Sequence, residues 1–169
     1  MTWIVVDVES DGPCPPMYSM VSFGAAVVAD PLKGFKGETC PISEQFIPEA
    51  LAVSGVTREQ HMNFAPPAET LASFDRWLSE LPKPLVFVSD NPAYDWCFMN
   101  YYLWAFLGRN PFGHSARRIG DIWGGLRRNV RDAKWKSFRE TKHTHDPLDD
   151  ARGNAEALRI IARDVQGIL

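Results

Sequence analysis

The sequence predicts an α/β fold on a mixed sheet, antiparallel over its first three strands, with a further strand added in parallel and helices on its flanks. Three observations carry this. Short apolar or β-branched runs bounded by turn residues recur through the first half of the chain. A segment of helical periodicity separates the third run from the fourth, as in a crossover onto a parallel strand. The chain then closes on a second amphipathic repeat. With 169 residues and 45% hydrophobic content, it can close one well-filled core and is short for two, so residues 1–169 are expected to form a single domain.

Trp3-Ile4-Val5-Val6-Asp7-Val8 is a β-branched run that stops at the turn residues Ser10-Asp11-Gly12-Pro13, which is the pattern of a buried strand. Met20 to Val28 predicts a second strand, closed by Asp30-Pro31. Ile42 to Ile47 predicts the third, interrupted by Glu44 and Gln45 and ended by Pro48. A short segment follows around Thr57 to Met62. From Ala68 to Leu81 the apolar residues Leu71, Phe74, Leu78 and Leu81 fall at 3,4,3 spacing, so this stretch predicts the crossover helix. Pro84 to Val88 is a compact buried strand, and Asp90-Asn91-Pro92 starts a helix over Ala93 to Leu107, with Asp90 in a capping or turn role. A short helix is expected around Ile119 to Leu126, and a final helix from Pro147 to Val165 with Asp146 as its N-cap.

No apolar stretch reaches the roughly 20 residues that a membrane span needs, and the first residues read as a core strand rather than a leader; a soluble, cytoplasmic chain with no membrane partner is expected. Cys14, Cys40 and Cys97 are scattered and odd in number, without zinc-site spacing, and are expected as free thiols. The net charge of −3 hides a division. From Arg109 to Lys142 there are ten Lys/Arg against three acids, so that segment carries +7 and the remainder −10. A basic surface beside an acidic one suits phosphate contacts next to a cation site, with Arg117, Arg118, Arg127, Arg128, Lys134 and Lys136 as candidate nucleic-acid-binding residues.

Three groups of residues carry chemistry. In an extended strand, side chains alternate, so Asp7 and Glu9 share a face at the carboxyl end of the first strand. Two carboxylates there repel unless neutralised, and Mg²⁺ or Mn²⁺ takes carboxylate and water oxygens in preference to nitrogen or sulfur. Asp95 shares a helical stripe with Phe98, Met99, Tyr102 and Phe106 and is expected to face inward. On the last helix, Asp149, Arg152, Glu156, Arg159 and Arg163 form a charged solvent face, whereas Asp150, Asn154, Ala157 and Ile161 adjoin the apolar strip. Asp150 is therefore the inward acid. His145 precedes the helix on a loop, where an imidazole can reach water; His61, His114 and His143 read as structural or exposed.

These motifs, in this order, resemble the DEDDh 3′→5′ exonucleases of the ribonuclease H-like fold, which include polymerase proofreading domains and oligoribonuclease. Asp7-Val8-Glu9 is similar to their first motif, Tyr94-Asp95 in its strand-to-helix setting to the second, and His145 through Asp150-Ala151 to the third. The match spans positions 7 to 151. Ser10-Asp11-Gly12-Pro13 departs from the small hydroxyl residues and apolar wedge found in many relatives, leaving Met17, Tyr18 or Met20 as wedge candidates. The resemblance implies catalysis by Asp7, Glu9, Asp95, His145 and Asp150. It implies two Mg²⁺ or Mn²⁺ ions, with Asp7 bridging, Glu9 and Asp150 completing one site, and Asp95 supporting directly or through water. His145 would act as general base and nucleoside 5′-monophosphates would be released.

The expected partners are single-stranded RNA or DNA 3′ ends, with RNA slightly favoured on resemblance alone. Two other readings remain open at this stage: a metal-dependent hydrolase of a nucleotide or small phosphoester, and a non-catalytic nucleic-acid or polymerase-binding module of the same fold. The aromatics between Trp96 and Phe112 could also supply a homodimer patch.

Overall fold

The computed structural model describes residues 1–163 and 165. Five strands form one sheet in the order β3-β2-β1-β4-β5. β1 (Thr2–Ser10), β2 (Met20–Val27) and β3 (Asp30–Glu38) make the antiparallel meander, and β4 (Leu85–Ser89) and β5 (Ala116–Arg118) add in parallel beyond β1. The predicted mixed sheet and its helical flanks are present.

The third strand is not where the sequence reading put it. Residues 42–47 are irregular: the amides of Ile42 and Ser43 donate to Ser19 Oγ, and that of Ile47 donates to the Asp11 carbonyl. Asp30-Pro31 does not close the second strand but opens the third, with Val27 opposite Asp30 across a tight hairpin. β3 lies at the sheet edge, where Lys33, Lys36 and Pro31 are tolerated because one side of the strand needs no partner. β5, only three residues long, is an element that the sequence reading did not list.

β1 is buried on both faces, and its alternation decides where the acids go. Ile4, Val6 and Val8 enter a core with Phe23, Leu71, Phe74, Phe87 and Phe98, beneath α3 (Pro67–Ser79) and α4 (Pro92–Tyr102). Trp3 and Val5 point the other way, into a core with Val28, Val88, Ala151, Ala155 and Leu158, beneath α6 (Pro147–Ile161). Asp7 and Glu9 continue this second series, so they face α6. The helical spacing of Leu71, Phe74 and Leu78 is borne out, since all three are fully buried. Two short helices, α1 (Pro48–Val53) and α2 (Arg58–Met62), join β3 to α3.

α6 ends at Ile161, short of the expected Val165. Its approach to the sheet depends on Gly24. This residue sits opposite Asp7, and a Cβ built there would lie 2.1 Å from the Pro147 carbonyl oxygen. The missing side chain lets the first turn of α6 rest on β2, which sets Asp150 over the end of β1. After α4 the chain makes a π turn over Leu103–Leu107, then β5, α5 (Ile119–Arg127) and a 3₁₀ turn over Lys134–Phe138. Phe98, Tyr102 and Phe112 fill the core, while Trp104 stays half exposed. Among the described residues, no helix is long and apolar enough to cross a membrane, and all three cysteines are free.

Candidate active site

Three carboxylates converge between β1 and α6. One oxygen from each of Asp7, Glu9 and Asp150 lies within 4.8 Å of the others. Asp95, in the first turn of α4, is buried as its stripe predicted, and its Oδ1 accepts the Val8 amide at 3.2 Å. It therefore stands behind the group of three, braced against the backbone between Asp7 and Glu9. His145 Nδ1 is 3.8 Å from Glu9 Oε1, with the imidazole half exposed. All five residues of the sequence-derived set gather at one end of the sheet.

Burial, then the charges of Asp95, Glu9 and Asp150, raise the Asp7 carboxyl well above the ordinary range. Burial, followed by Asp150, Asp95 and Asp146, pushes Glu9 up to about 7. Asp95 also rises to about 7, mainly through burial, although the Val8 amide opposes the shift. A cluster that strains to hold protons near neutrality binds a multivalent cation well, because the cation removes the repulsion that raises the pKa values. Its donors are all oxygen, the set that Mg²⁺ and Mn²⁺ favour.

Asp150 is almost fully buried and heavily bonded. Its Oδ1 accepts Arg139 Nη2 at 3.0 Å and the Thr144 amide at 3.1 Å. Its Oδ2 accepts the His145 amide at 3.1 Å, and His143 Nδ1 lies 2.6 Å away. His145 adopts a left-handed backbone, φ 61°, which aims its amide inward. Asp146 caps α6 as expected, accepting the amides of Leu148 and Asp149. Gly153 makes room for the strap carrying Arg139: a Cβ there would meet Arg139 Nε and the Thr141 carbonyl at 2.6 Å.

A cavity of about 470 Å³ opens beside Asp7, lined in part by Asp90, Lys136, Arg139, His143 and Asn154. Arg139 Nε and Asn154 Oδ1 are buried there without a hydrogen-bond partner among the described residues. One orphaned donor and one orphaned acceptor suit a polar ligand. Of the six basic residues proposed for nucleic-acid contact, Lys136 lines this cavity; Arg117, Arg118, Arg127, Arg128 and Lys134 do not. Arg117 lies over the Trp3 ring and Arg127 over Trp123.

Three sequence readings are refined here. Asp90 is not a helix cap; Asn91 holds that position, and Asp90 pairs with Lys136 at 2.8 Å. His143 is exposed as read, but it contacts the site through Asp150. Asp11 is fully buried, with Arg58 Nη1 2.8 Å from its Oδ2 and the Ser19 amide on Oδ1, so it anchors the loop after β1. Of the wedge candidates, Met20 is buried in the core and Met17 is exposed. Tyr94 and Arg139 lay outside the expected site residues. The Tyr94 hydroxyl bonds Ser10 Oγ and ties that loop to α4, and burial pushes its pKa up to about 12.

No family model matches the chain. The 3′-5′ DNA exonuclease Cap18 of Escherichia coli is 39% identical over 173 residues, covering 94% of this chain and 90% of that protein. The chain belongs to the DEDDh 3′→5′ exonucleases. Solved structures share the fold at lower identity. The nuclease domain of 3′hExo, a DEDDh family member bound to rAMP, superposes with a TM-score of 0.74 at 17% identity, over 99% of this chain and 94% of that one. Cell-death related nuclease 4 gives 0.76 at 14%, over 97% and 64%. E. coli exonuclease I in complex with a dT13 oligonucleotide gives 0.73 at 14%, over 95% and 41%. This DEDDh exonuclease is thus a nuclease on a ribonuclease H-like sheet, from a family that uses divalent metal ions.

Proposed function

We propose that this exonuclease removes nucleoside 5′-monophosphates from the 3′ ends of single-stranded nucleic acid, using two divalent ions, Mg²⁺ or Mn²⁺. The convergence of Asp7, Glu9 and Asp150 oxygens within 4.8 Å carries this reading. Asp7, Glu9 and Asp150 would hold the ions, with Asp7 shared between them, and Asp95 braces the set from behind through the Val8 amide. When bound, such ions supply charge stabilisation to the attacking and leaving oxygens of an in-line displacement at phosphorus.

The protein's own groups do the rest. His145 is half exposed, and its Nδ1 lies close to Glu9, so it is placed to take a proton from the attacking water. The carboxylate of Glu9 holds the resulting imidazolium in place. Lys136 sits at the rim of the cavity with a charge that can pass from Asp90 to a phosphate. Phosphate contacts carry no base information, so little sequence preference is expected.

The sequence alone leans to RNA, whereas the 39% identical relative is named a DNA exonuclease. We take single-stranded DNA as the first substrate to test. The experiment follows single-nucleotide release from matched 5′-labelled DNA and RNA oligomers, in Mg²⁺, Mn²⁺ or chelator, with wild type and His145→Ala. A shortening ladder that needs metal and falls at least about a hundredfold without His145 is expected. Equal rates with and without His145 would remove it as the base, and cleavage of a 3′-blocked oligomer would remove the exonucleolytic direction.

A further inference from the structure

The carboxylate set leaves His143 without a task. His143 stands two residues before His145, and the left-handed turn at His145 folds the strap so that both imidazoles overlie Asp150. The two rings meet edge to face with centroids 4.4 Å apart. One ligand atom from each of His143, His145 and Asp150 lies within 4.8 Å of the others. Two half-exposed imidazoles above one buried carboxylate make a different donor set from the all-oxygen cluster next to it.

We propose that His143, His145 and Asp150 form a second cation site, suited to a borderline transition-metal ion such as Zn²⁺, and that filling it switches the nuclease off. Imidazole nitrogen and carboxylate oxygen are zinc donors, whereas Mg²⁺ binds oxygen and keeps its waters. Bonds of about 2.0–2.2 Å in a tetrahedral site set neighbouring donors about 3.3 Å apart. The present donors lie within 4.8 Å of one another, so closing to that spacing takes at most about 1.5 Å, which rotation of the two half-exposed imidazoles can supply. The pair already in contact, His143 Nδ1 and Asp150 Oδ2 at 2.6 Å, must open by about 0.7 Å to admit the ion. The other oxygen of Asp150 is fixed by Arg139 and the Thr144 amide, which orients the carboxylate for a metal at Oδ2. Three protein ligands leave a fourth position for water on the solvent side.

Occupation has two consequences. It commits an Asp150 oxygen to the second ion and sets a further positive charge beside Asp7 and Glu9. It also engages the His145 lone pair that would accept a proton. The inhibitory half of the proposal rests on the function proposed above; the binding half does not.

Co²⁺ serves as a visible probe for the Zn²⁺ site. Metal-free full-length chain is titrated with Co²⁺, then with Zn²⁺, for wild type and His143→Gln, and each protein's thermal melt checks its fold. The expected result is intense visible bands of a four-coordinate nitrogen-containing site that saturate with one such Co²⁺ per chain and are lost on adding Zn²⁺; Co²⁺ taken by the all-oxygen cluster gives only weak bands and is not scored. Affinity should fall at least about tenfold in His143→Gln, the loss typical when one ligand or its support goes. Zn²⁺ inhibition, scored against each protein's own Mg²⁺-dependent rate, should need correspondingly more metal in the variant. Equal Co²⁺ affinity in both proteins, or equal Zn²⁺ inhibition of both, overturns the proposal. A chain that binds Co²⁺ through His143 but shortens no oligomer in Mg²⁺ sinks the nuclease mechanism and its inhibition while keeping the binding site. A chain that shortens oligomers but binds Co²⁺ identically without His143 does the reverse.

Discussion

Replacing Glu9 by Gln should stabilise the metal-free protein while crippling it as a catalyst. The carboxyl is pushed from 4.5 to about 7 by burial and then by Asp150, Asp95 and Asp146. A folded pKa above the unfolded one means that the native chain binds more protons between these values, so stability falls as pH rises through that window. At about 1.4 kcal/mol per unit, the ionised Glu9 costs about 3 kcal/mol by pH 8 and under about 1 kcal/mol at pH 5. The side chain is 13% exposed, so solvent screening trims this only modestly. Urea denaturation in chelator should therefore show Glu9→Gln more stable than wild type by about 2–3 kcal/mol at pH 8, with the gain shrinking towards pH 5. Excess Mg²⁺ should narrow the difference at pH 8 by stabilising the wild type. A variant no more stable than wild type at pH 8 in chelator, or a gain independent of pH, would refute the picture of mutually repelling carboxylates.

Three further outcomes follow from the packing. Gly24→Ala places a Cβ 2.1 Å from the Pro147 carbonyl, a backbone atom that cannot rotate away, and should cost about 3 kcal/mol in thermal or urea unfolding. Arg58→Ala strips the partner from the fully buried Asp11 and should cost about 3 kcal/mol, whereas Asp11→Asn with Arg58→Ala should recover part of it; a double variant no better than the single would deny the pairing. Lys136→Gln should weaken single-strand binding at low salt and reduce the slope of log affinity against log salt by about 0.7, measured by fluorescence anisotropy.

How much of this was legible in the sequence depended on whether a residue's environment is local. Asp7 and Glu9 are placed by strand alternation, Asp95 and Asp150 by helical stripes, and Asp146 by its position before Pro147; all five sit as the periodicity implied. β3 was missed because an edge strand rich in Lys and Gly, with only Pro31 and Gly37 at strongly buried positions... carries little apolar alternation. Residues 42–47 misled because an apolar pattern is also produced by a loop that covers a core, with its amides bonded to Ser19 and Asp11. Arg139 was invisible as a site residue because it sits in a run of basic residues, and only the fold brings it onto Asp150. Asp11 looked like a turn acid, since its partner Arg58 is 47 residues away. His143 and His145 are near neighbours in sequence, but their convergence on one carboxylate depends on the left-handed turn at His145.

The central claim is that Asp7 helps hold the divalent ions on which 3′ cleavage depends. Mn²⁺ binding to wild type and Asp7→Asn, read by electron paramagnetic resonance, paired with single-turnover cleavage of a 5′-labelled single-stranded oligomer, tests it most directly. The account predicts that the variant keeps its fold, loses tight Mn²⁺ binding and produces no ladder. A folded Asp7→Asn chain that binds Mn²⁺ like the wild type and shortens the oligomer at a similar rate would contradict it.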